Sequence, residues 1–289
     1  MDAQFKASEL TLADDGSLYH IRLFPEELAE NVILVGDPKR VEVVSRFFDT
    51  IEVKKENREI VTHTGLYKGK HITAMSTGMG VDNLDIVITE LDACKNIDLK
   101  KRTLKDNLTS LNLIRLGTTG AMQKSMEVNS FICSEYVIGI DGMMWFYKNN
   151  IEVLANALQT EFIDFMHWKS PLPTPYAVRC SNNLLEKIAF DIPKGITVTA
   201  PGFYGPQGRE IRLPLYDNTI NERLPKFSYN DLKITNYEME TSSLYCLGKN
   251  LGHNVLTICN VIANRERGEF AKDYHTSMQH LIATVLDRI

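Results

Sequence analysis

The sequence predicts an α/β fold, a single domain over residues 1–289 with a central, mostly parallel or mixed twisted sheet flanked by helices. Three observations carry that expectation. Short β-branched runs recur along the chain. Each is followed by a glycine-containing turn, and most turns lead into a segment with apolar residues at helical spacing. Runs that are apolar on both faces belong to strands covered on both sides, as in parallel sheets.

The elements follow in order. Residues 31–35 (NVILV) form the first run and pass through Gly36-Asp37-Pro38 into a helix beginning at Lys39. Pro38 suits the first helical position and Asp37 the cap before it. Residues 71–76 (HITAMS) give a second strand, Thr77-Gly-Met-Gly80 its turn, and 81–95 the next helix. A third strand over 113–116 (LIRL) is followed by a turn, Gly117-Thr-Thr-Gly120. Residues 233–240 (KITNYEME) run into a helix over 241–250, which Gly252 closes as a left-handed cap. Residues 254–263 read as a long buried strand. Three stretches interrupt this rhythm. The first, 92–112, interleaves Lys95, Lys100, Lys101, Arg102 and Lys105 with Asp92, Asp98 and Asp106, and reads as a polar, solvated insertion. The second, 170–176 (SPLPTPY), is a stiff extended connector. The third, 202–229, is rich in Gly, Pro and Arg and long enough to be a functional loop.

Composition narrows the function. Hydrophobic residues make up 44% and charged residues 24%, a globular balance. The net charge is −5, from 32 Lys+Arg against 37 Asp+Glu, without a dense basic stripe, so a nucleic-acid partner is not expected. No apolar run approaches the roughly 18–20 residues of a membrane span. The polar, acidic start is not a secretory signal. Cys94, Cys133, Cys180, Cys246 and Cys259 are odd in number and lack CxxC spacing, which favours a reduced, cytoplasmic protein over a disulfide framework or a zinc knuckle. GxxxxGK(S/T), HExxH, GxSxG and GxGxxG are all absent, leaving nucleotide hydrolysis, zinc proteolysis and serine hydrolysis unsupported.

What remains is a set of turns carrying arginines, glycines and threonines. Gly36 admits an anion close to the backbone, and Arg40 issues from the first turn of a helix whose free amides favour negative charge. The same residues also make an ordinary strand-to-helix turn. Arg115 lies inside an apolar strand, where a guanidinium needs either an anion or a core carboxylate. Thr118 and Thr119 add hydroxyls beside glycines. Arg58, near a strand start, is by itself only a charged residue. Glu238 and Glu240 stand two apart on an extended segment. They suit an acid/base pair, a clamp for vicinal sugar hydroxyls, or acids at a helix N-terminus. Phe203, Gln207 and Arg209 combine an aromatic face, an amide that donates and accepts, and a donor-only guanidinium. That set suits the edge of a pyrimidine ring, or else a solvated loop.

Taken together, these motifs resemble the nucleoside phosphorylase superfamily, most closely its uridine phosphorylases. The matching pieces are Leu18-Tyr-His-Ile21, Val35-Gly-Asp-Pro-Lys-Arg40, Asn57-Arg-Glu59, Ser76-Thr-Gly-Met-Gly80, Ile114-Arg-Leu-Gly-Thr-Thr-Gly-Ala121, the segment from Phe203 to Arg209, Asn236-Tyr-Glu-Met-Glu240 and Val261-Ile-Ala-Asn-Arg265. The resemblance implies inorganic phosphate as co-substrate, held by Gly36, Arg40, Arg115 and Thr118, with Arg58 supplied by a neighbouring subunit. It implies ribose on Met239 and Glu240, with Glu238 beside them and the neighbour's His20 on the 5′-hydroxyl. Uracil would lie near Phe203, Thr119 and Gly120, its edge read by Gln207 and Arg209, with Arg265 also in the substrate site. The implied reaction is direct phosphorolysis to uracil and ribose 1-phosphate, with Arg40, Arg115, Gln207, Arg209 and Glu240 as its catalytic set and no organic cofactor. The resemblance further implies a monovalent cation such as potassium on Glu59, Met79 and Asn83, although a serine is usual at the third place. The assembly it implies is a homodimer sharing active sites within a homohexamer. Purine-acting members carry an aspartate after a serine where this chain has Asn264-Arg265, so uridine is preferred and purine or broad specificity is the alternative. Nucleosidases lack the arginine cluster, and a non-catalytic nucleoside-binding module would have lost site residues.

Overall fold

Val32, Ile33, Leu34 and Val35 have no exposed surface, as a strand enclosed on both edges and both faces requires. They belong to β1 (Asn31–Val35), the first strand of a computed structural model that describes residues 4–148 and 151–289. In chain order there follow α1 (Pro38–Ser45), β2 (Thr50–Asn57), β3 (Ile60–Tyr67), β4 (Lys70–Ser76) and α2 (Val81–Asn96). Next come two short strands, β5 (Ile97–Asp98) and β6 (Thr103–Leu104), then β7 (Asn112–Ala121) and β8 (Phe131–Gly139). The middle of the chain holds α3 (Asn156–Met166), β9 (Tyr176–Arg179), α4 (Asn182–Ile188), β10 (Lys194–Thr199), α5 (Ile220–Arg223) and β11 (Ser228–Tyr229). The last elements are β12 (Leu232–Glu238), α6 (Thr241–Asn250), β13 (Asn254–Asn264), β14 (Glu269–Phe270) and α7 (His275–Arg288).

The main sheet is mixed. Its order is β11-β12-β10-β8-β13-β7-β1-β4-β3-β2, with β14 on β13 and β9 on β8. β1 lies parallel to β4 and β7, and β7 lies parallel to β13. An additional antiparallel pairing joins Tyr237 and Asn236 of β12 to Gly120 and Ala121 of β7. Since β12 also pairs with β10, the strands β7, β13, β8, β10 and β12 close into a ring. This closure removes two edges and brings the ends of β7 and β12 together. Helices pack outside, and the largest apolar cluster joins α1, α2, α6 and α7 to the sheet. Among the described residues, no helix is long and apolar enough to cross a membrane.

Local chemistry sets the element boundaries. The Asp37 carboxylate accepts from the Lys39 N–H at 2.9 Å and Pro38 takes the first turn of α1. Gly252, at φ +83°, follows α6 as the left-handed residue that a helix end favours. Three expectations change. Residues 117–120 do not turn, because β7 stays paired with β13 from Asn112 to Ala121 and the extra residue bulges from β13 between Val261 and Ala263. Within 92–112, the first five residues complete α2, and Cys94, Asn96, Ile97 and Leu111 are buried among the exposed charges. The 202–229 stretch contains α5, and its Ile220, Leu224 and Phe227 are buried in a second apolar cluster.

Candidate active site

β1 stops at Val35, while β7 continues to Ala121, so the end of β1 opens a corner beside β7. Arg40, from the first turn of α1, reaches this corner and donates to the Leu116 carbonyl at 3.3 Å. Burial, and then the positive charge of Arg115, lower its pKa. Two guanidiniums therefore bear on one another at the turn that holds Gly36. A doubly charged anion would relieve that repulsion. Thr118, half-buried, follows on the same strand.

Arg115 sits in β7 opposite Leu34 of β1 and Thr257 of β13, and its side chain is 4% exposed. Its Nη2 donates to Glu240, while Nη1 lies 3.4 Å from a Glu238 oxygen and 3.7 Å from Cys259 Sγ. Burial opposes the charge, but Glu240 and Glu238 hold the guanidinium protonated, with its pKa above the usual value. The two carboxylates have different occupations. Glu238 ends β12 and accepts from the N–H groups of Glu240 at 3.0 Å and Thr241 at 2.9 Å, so it caps α6. Its other oxygen accepts from the Thr199 hydroxyl. Glu240 accepts from the Gly80 N–H at 2.9 Å, at the N-terminus of α2, where a negative charge is favoured. Met239 is half-buried between them.

The base-reading candidates also meet. The Arg209 guanidinium lies 3.8 Å above the Phe203 ring centroid and donates to the Phe203 carbonyl and to Gln207 Oε1, the latter at 2.7 Å. Burial, and then the charge of Arg265, bring the Arg209 pKa down to about 10. Arg209 and Arg265 line a cleft of about 390 Å³ with Gly120, Met122, Asn221 and Asn264, a volume within the usual range for small-molecule sites. Arg265 stacks 5.3 Å from the Tyr237 ring centroid, and its Nη2 and the Tyr237 hydroxyl are buried without a protein partner. The Thr119 hydroxyl is engaged at the β7–β12 seam, donating to the Tyr237 carbonyl and accepting from Asn236 Nδ2 at 2.9 Å.

A second, smaller cleft of about 110 Å³ is lined by His20, Asn57, Arg58, Glu59, Thr77 and Asn83, without Arg40 or Arg115. His20 is fixed there. Its Nδ1 meets Glu90 at 2.5 Å, and its backbone N–H and that of Ile21 both donate to Glu90 at 2.9 Å. Arg58 is exposed at the tip of the β2–β3 hairpin, with φ +56°. Glu59 and Asn83 flank Gly78 so closely that a Cβ there would lie 2.4 Å from Asn83 Nδ2 and 3.0 Å from Glu59 Cγ. Asn83 Nδ2 donates to the Met79 carbonyl at 3.3 Å.

Comparison with known proteins shows the family. The sequence pattern of the family described as the phosphorylase superfamily matches residues 30–288. The chain belongs to the phosphorylase superfamily. A uridine phosphorylase of Thermococcus kodakarensis is 30% identical over 278 residues, covering 94% of this chain and 86% of that protein. A DeoD-type purine nucleoside phosphorylase of Listeria monocytogenes is 26% identical, covering 93% of this chain and 97% of its own. Among solved structures, a Trypanosoma brucei nucleoside phosphorylase, described as showing uridine phosphorylase activity, superposes with a TM-score of 0.85. It is 29% identical, covering 96% of this chain and 98% of that one. As a member of the superfamily, the chain is an enzyme, a pentosyltransferase of the nucleoside phosphorylase kind.

Within this phosphorylase, sequence reasoning passed over several residues that hold the site together. Asn236, fully buried, joins Thr119 of β7 to Thr197 of β10. An asparagine in an apolar strand was a readable signal, since a buried amide needs partners. Glu90, which fixes His20 from α2, and Asn221, on α5, left no comparable mark.

Proposed function

We propose that this phosphorylase cleaves the N-glycosidic bond of uridine with inorganic phosphate, giving uracil and ribose 1-phosphate. The observation that carries the reading is the cleft lined by Arg209 and Arg265, two donor-only guanidiniums suited to the oxo-bearing edge of a pyrimidine, with the buried Gln207 amide hydrogen-bonded to Arg209 behind it. Asn264 supports it. Its amide donates to the Gln123 and Met126 carbonyls at 3.0 and 2.6 Å and accepts from the Arg267 N–H, so it is engaged within the protein.

The chemistry follows from the charges. Phosphate at Gly36, Arg40, Arg115 and Thr118 attacks the anomeric carbon. A C–O bond forms, the C–N bond breaks, and the electron pair leaves on the uracil nitrogen, which then takes a proton. At about 4 Å and an effective dielectric near 20, each charge pair is worth roughly 4 kcal/mol, so two or three arginines are ample for the nucleophile. Positive charge grows on the sugar, as in glycoside hydrolysis, beside the phosphate and Glu240. Glu240 and Met239 hold the ribose, with Glu238 keeping the segment in place. Gln207 and Arg209 stabilise the charge leaving on the base, while Phe203 and Gly120 bound its plane. Thr119, through the β7–β12 seam, keeps Gly120 in position.

Arg58 and His20 complete the site of a second copy of the chain, which makes a dimer the functional unit. Glu59, the Met79 carbonyl and Asn83 would offer oxygen donors to a hard monovalent cation only after the Asn83 amide turned, since its nitrogen now donates to the Met79 carbonyl. Such a cation would brace the turn at Gly78. Five buried free cysteines favour a reducing, cytoplasmic setting.

Base release from uridine, thymidine, inosine and adenosine, each with and without phosphate, tests the reading. Phosphate-dependent release from uridine, with ribose 1-phosphate formed, is expected. Undiminished release without phosphate would make the reaction hydrolysis, and equal turnover of inosine would make the specificity broad.

A further inference from the structure

We propose that Asn221 is a positioning residue for base recognition, fixing from α5 the turn that carries Gln207 and Arg209. The inference rests on the base-reading role given to those two side chains. The chain just after Arg209 gives it little packing, since Ile211 and Leu213 are 79% and 81% exposed. The Asn221 Nδ2 donates to the carbonyl of Gln207 at 3.1 Å and to that of Gly208 at 3.2 Å, the two residues immediately before Arg209. Gly208 matches this clamp in two ways. Its φ is +66°, and a Cβ on it would lie 2.2 Å from Asn221 Nδ2, so both the backbone and the space call for glycine. Within the turn, Gln207 N–H and Arg209 N–H both donate to the Tyr204 carbonyl, at 3.0 and 2.9 Å. Asn221 thus ties an internally bonded turn to the body of the protein.

α5 is a firm platform despite its four residues. Ile220 is buried, and Asp217 accepts from Arg223 Nη2 at 2.5 Å and from the Thr219 hydroxyl at 2.8 Å. The two carbonyls also set the orientation of the Asn221 amide, since only its nitrogen can donate to them. That leaves Oδ1 buried without a protein partner, on a residue that lines the same cleft as Arg209 and Arg265. A carboxylate in its place could not donate to the carbonyls and would draw Arg209 toward itself. Asparagine is therefore distinguished from its isostere aspartate.

The test compares Asn221→Ala, Asn221→Asp, Arg209→Ala and the double variant Asn221→Ala/Arg209→Ala in the full-length enzyme, with thermal melts alongside. Loss of two hydrogen bonds should raise the KM for uridine at least about tenfold in Asn221→Ala, with the KM for phosphate changed less than about twofold. Asn221→Asp should be worse than Asn221→Ala. If Asn221 acts through the turn that carries Arg209, the double variant should lose less than the sum of the two single losses. An unchanged uridine KM, additive losses, or equal losses for both substrates would overturn the proposal. If Arg209→Ala itself spares uridine, the base-reading role fails first and Asn221 falls with it. Should Asn221→Ala not fold, Gly208→Ala displaces the same amide from the other side. It should reproduce the uridine effect, and a normal uridine KM there would also overturn the assignment.

Discussion

Arg115 and Arg40 meet at the same corner but stand in opposite relations to the fold. Arg115 is enclosed with two carboxylates, whereas the Arg40 guanidinium donates to a carbonyl. Removing one member of a buried ion pair typically costs about 3–5 kcal/mol, because the other charge is left unmatched. Arg115→Met should therefore lose stability on that scale as well as phosphate affinity. Arg40→Ala should raise the KM for phosphate while changing stability by less than about 1.5 kcal/mol. Urea melts and phosphate titration of rate separate the two. Arg209 gives a pH prediction with a definite sign. Its pKa is brought down to about 10, so it is charged below that pH and loses its charge as pH rises through it. Uridine kcat/KM should fall on that limb, and Arg265→Gln, by removing a neighbouring positive charge, should move the limb upward. Ionisation of the substrate itself would not shift with the variant. The sequence left Arg115 open between an anion and a core carboxylate, and the fold supplies the carboxylates. What spacing could not reveal is which way Glu238 turns. Only the start of α6 decides that it caps a helix.

Elements buried on both faces were legible, and those with one wet or polar face were not. β1, β4 and β13 are nearly continuous apolar runs, and their turns and caps follow from Gly, Asp and Pro. β2 exposes Glu52, Lys54 and Glu56 along a sheet edge and offers no apolar run by which to read it as a strand. β8 and β10 bury Ser134 against Thr197, which breaks the apolar pattern although the hydroxyls satisfy one another. The 202–229 stretch was legible as functional because of its composition, while α5 escaped notice because four residues carry no period. Contact between elements also sets a pH response. His63 of β3 shares a hydrogen bond of 2.7 Å with the Ser45 hydroxyl at the end of α1, and burial holds its pKa below the ordinary 6.5. The unfolded chain therefore takes up this proton before the folded one does. Stability from this site is complete above the unfolded pKa and is lost as pH falls through the folded one. Thermal melts between about pH 7.5 and pH 5 should show a steeper decline for the native chain than for His63→Asn, which cannot ionise. Parallel curves would remove His63 from the account.

At the scale of the whole molecule, ring closure places Gly120 beside Tyr237 and so joins the base cleft to the Arg115 corner. That pairing lies 117 residues apart in sequence for Tyr237 and Gly120 and left no local trace, although the motifs at its ends were visible. His20 and Arg58 remain in their own small cleft, away from Arg40 and Arg115. If both belong to the reaction, the neighbouring copy must supply them. Mixing provides the decisive arithmetic. Arg58→Ala damages what a subunit lends, and Glu240→Gln damages what it keeps. In a dimer of one of each, one site combines both lesions and the other is intact. With free exchange, half the dimers are mixed and each has one of two sites working, so about a quarter of native activity should return from two inactive preparations. Self-contained sites would leave the mixture as inactive as its parts, even when labelled subunits prove that exchange has occurred.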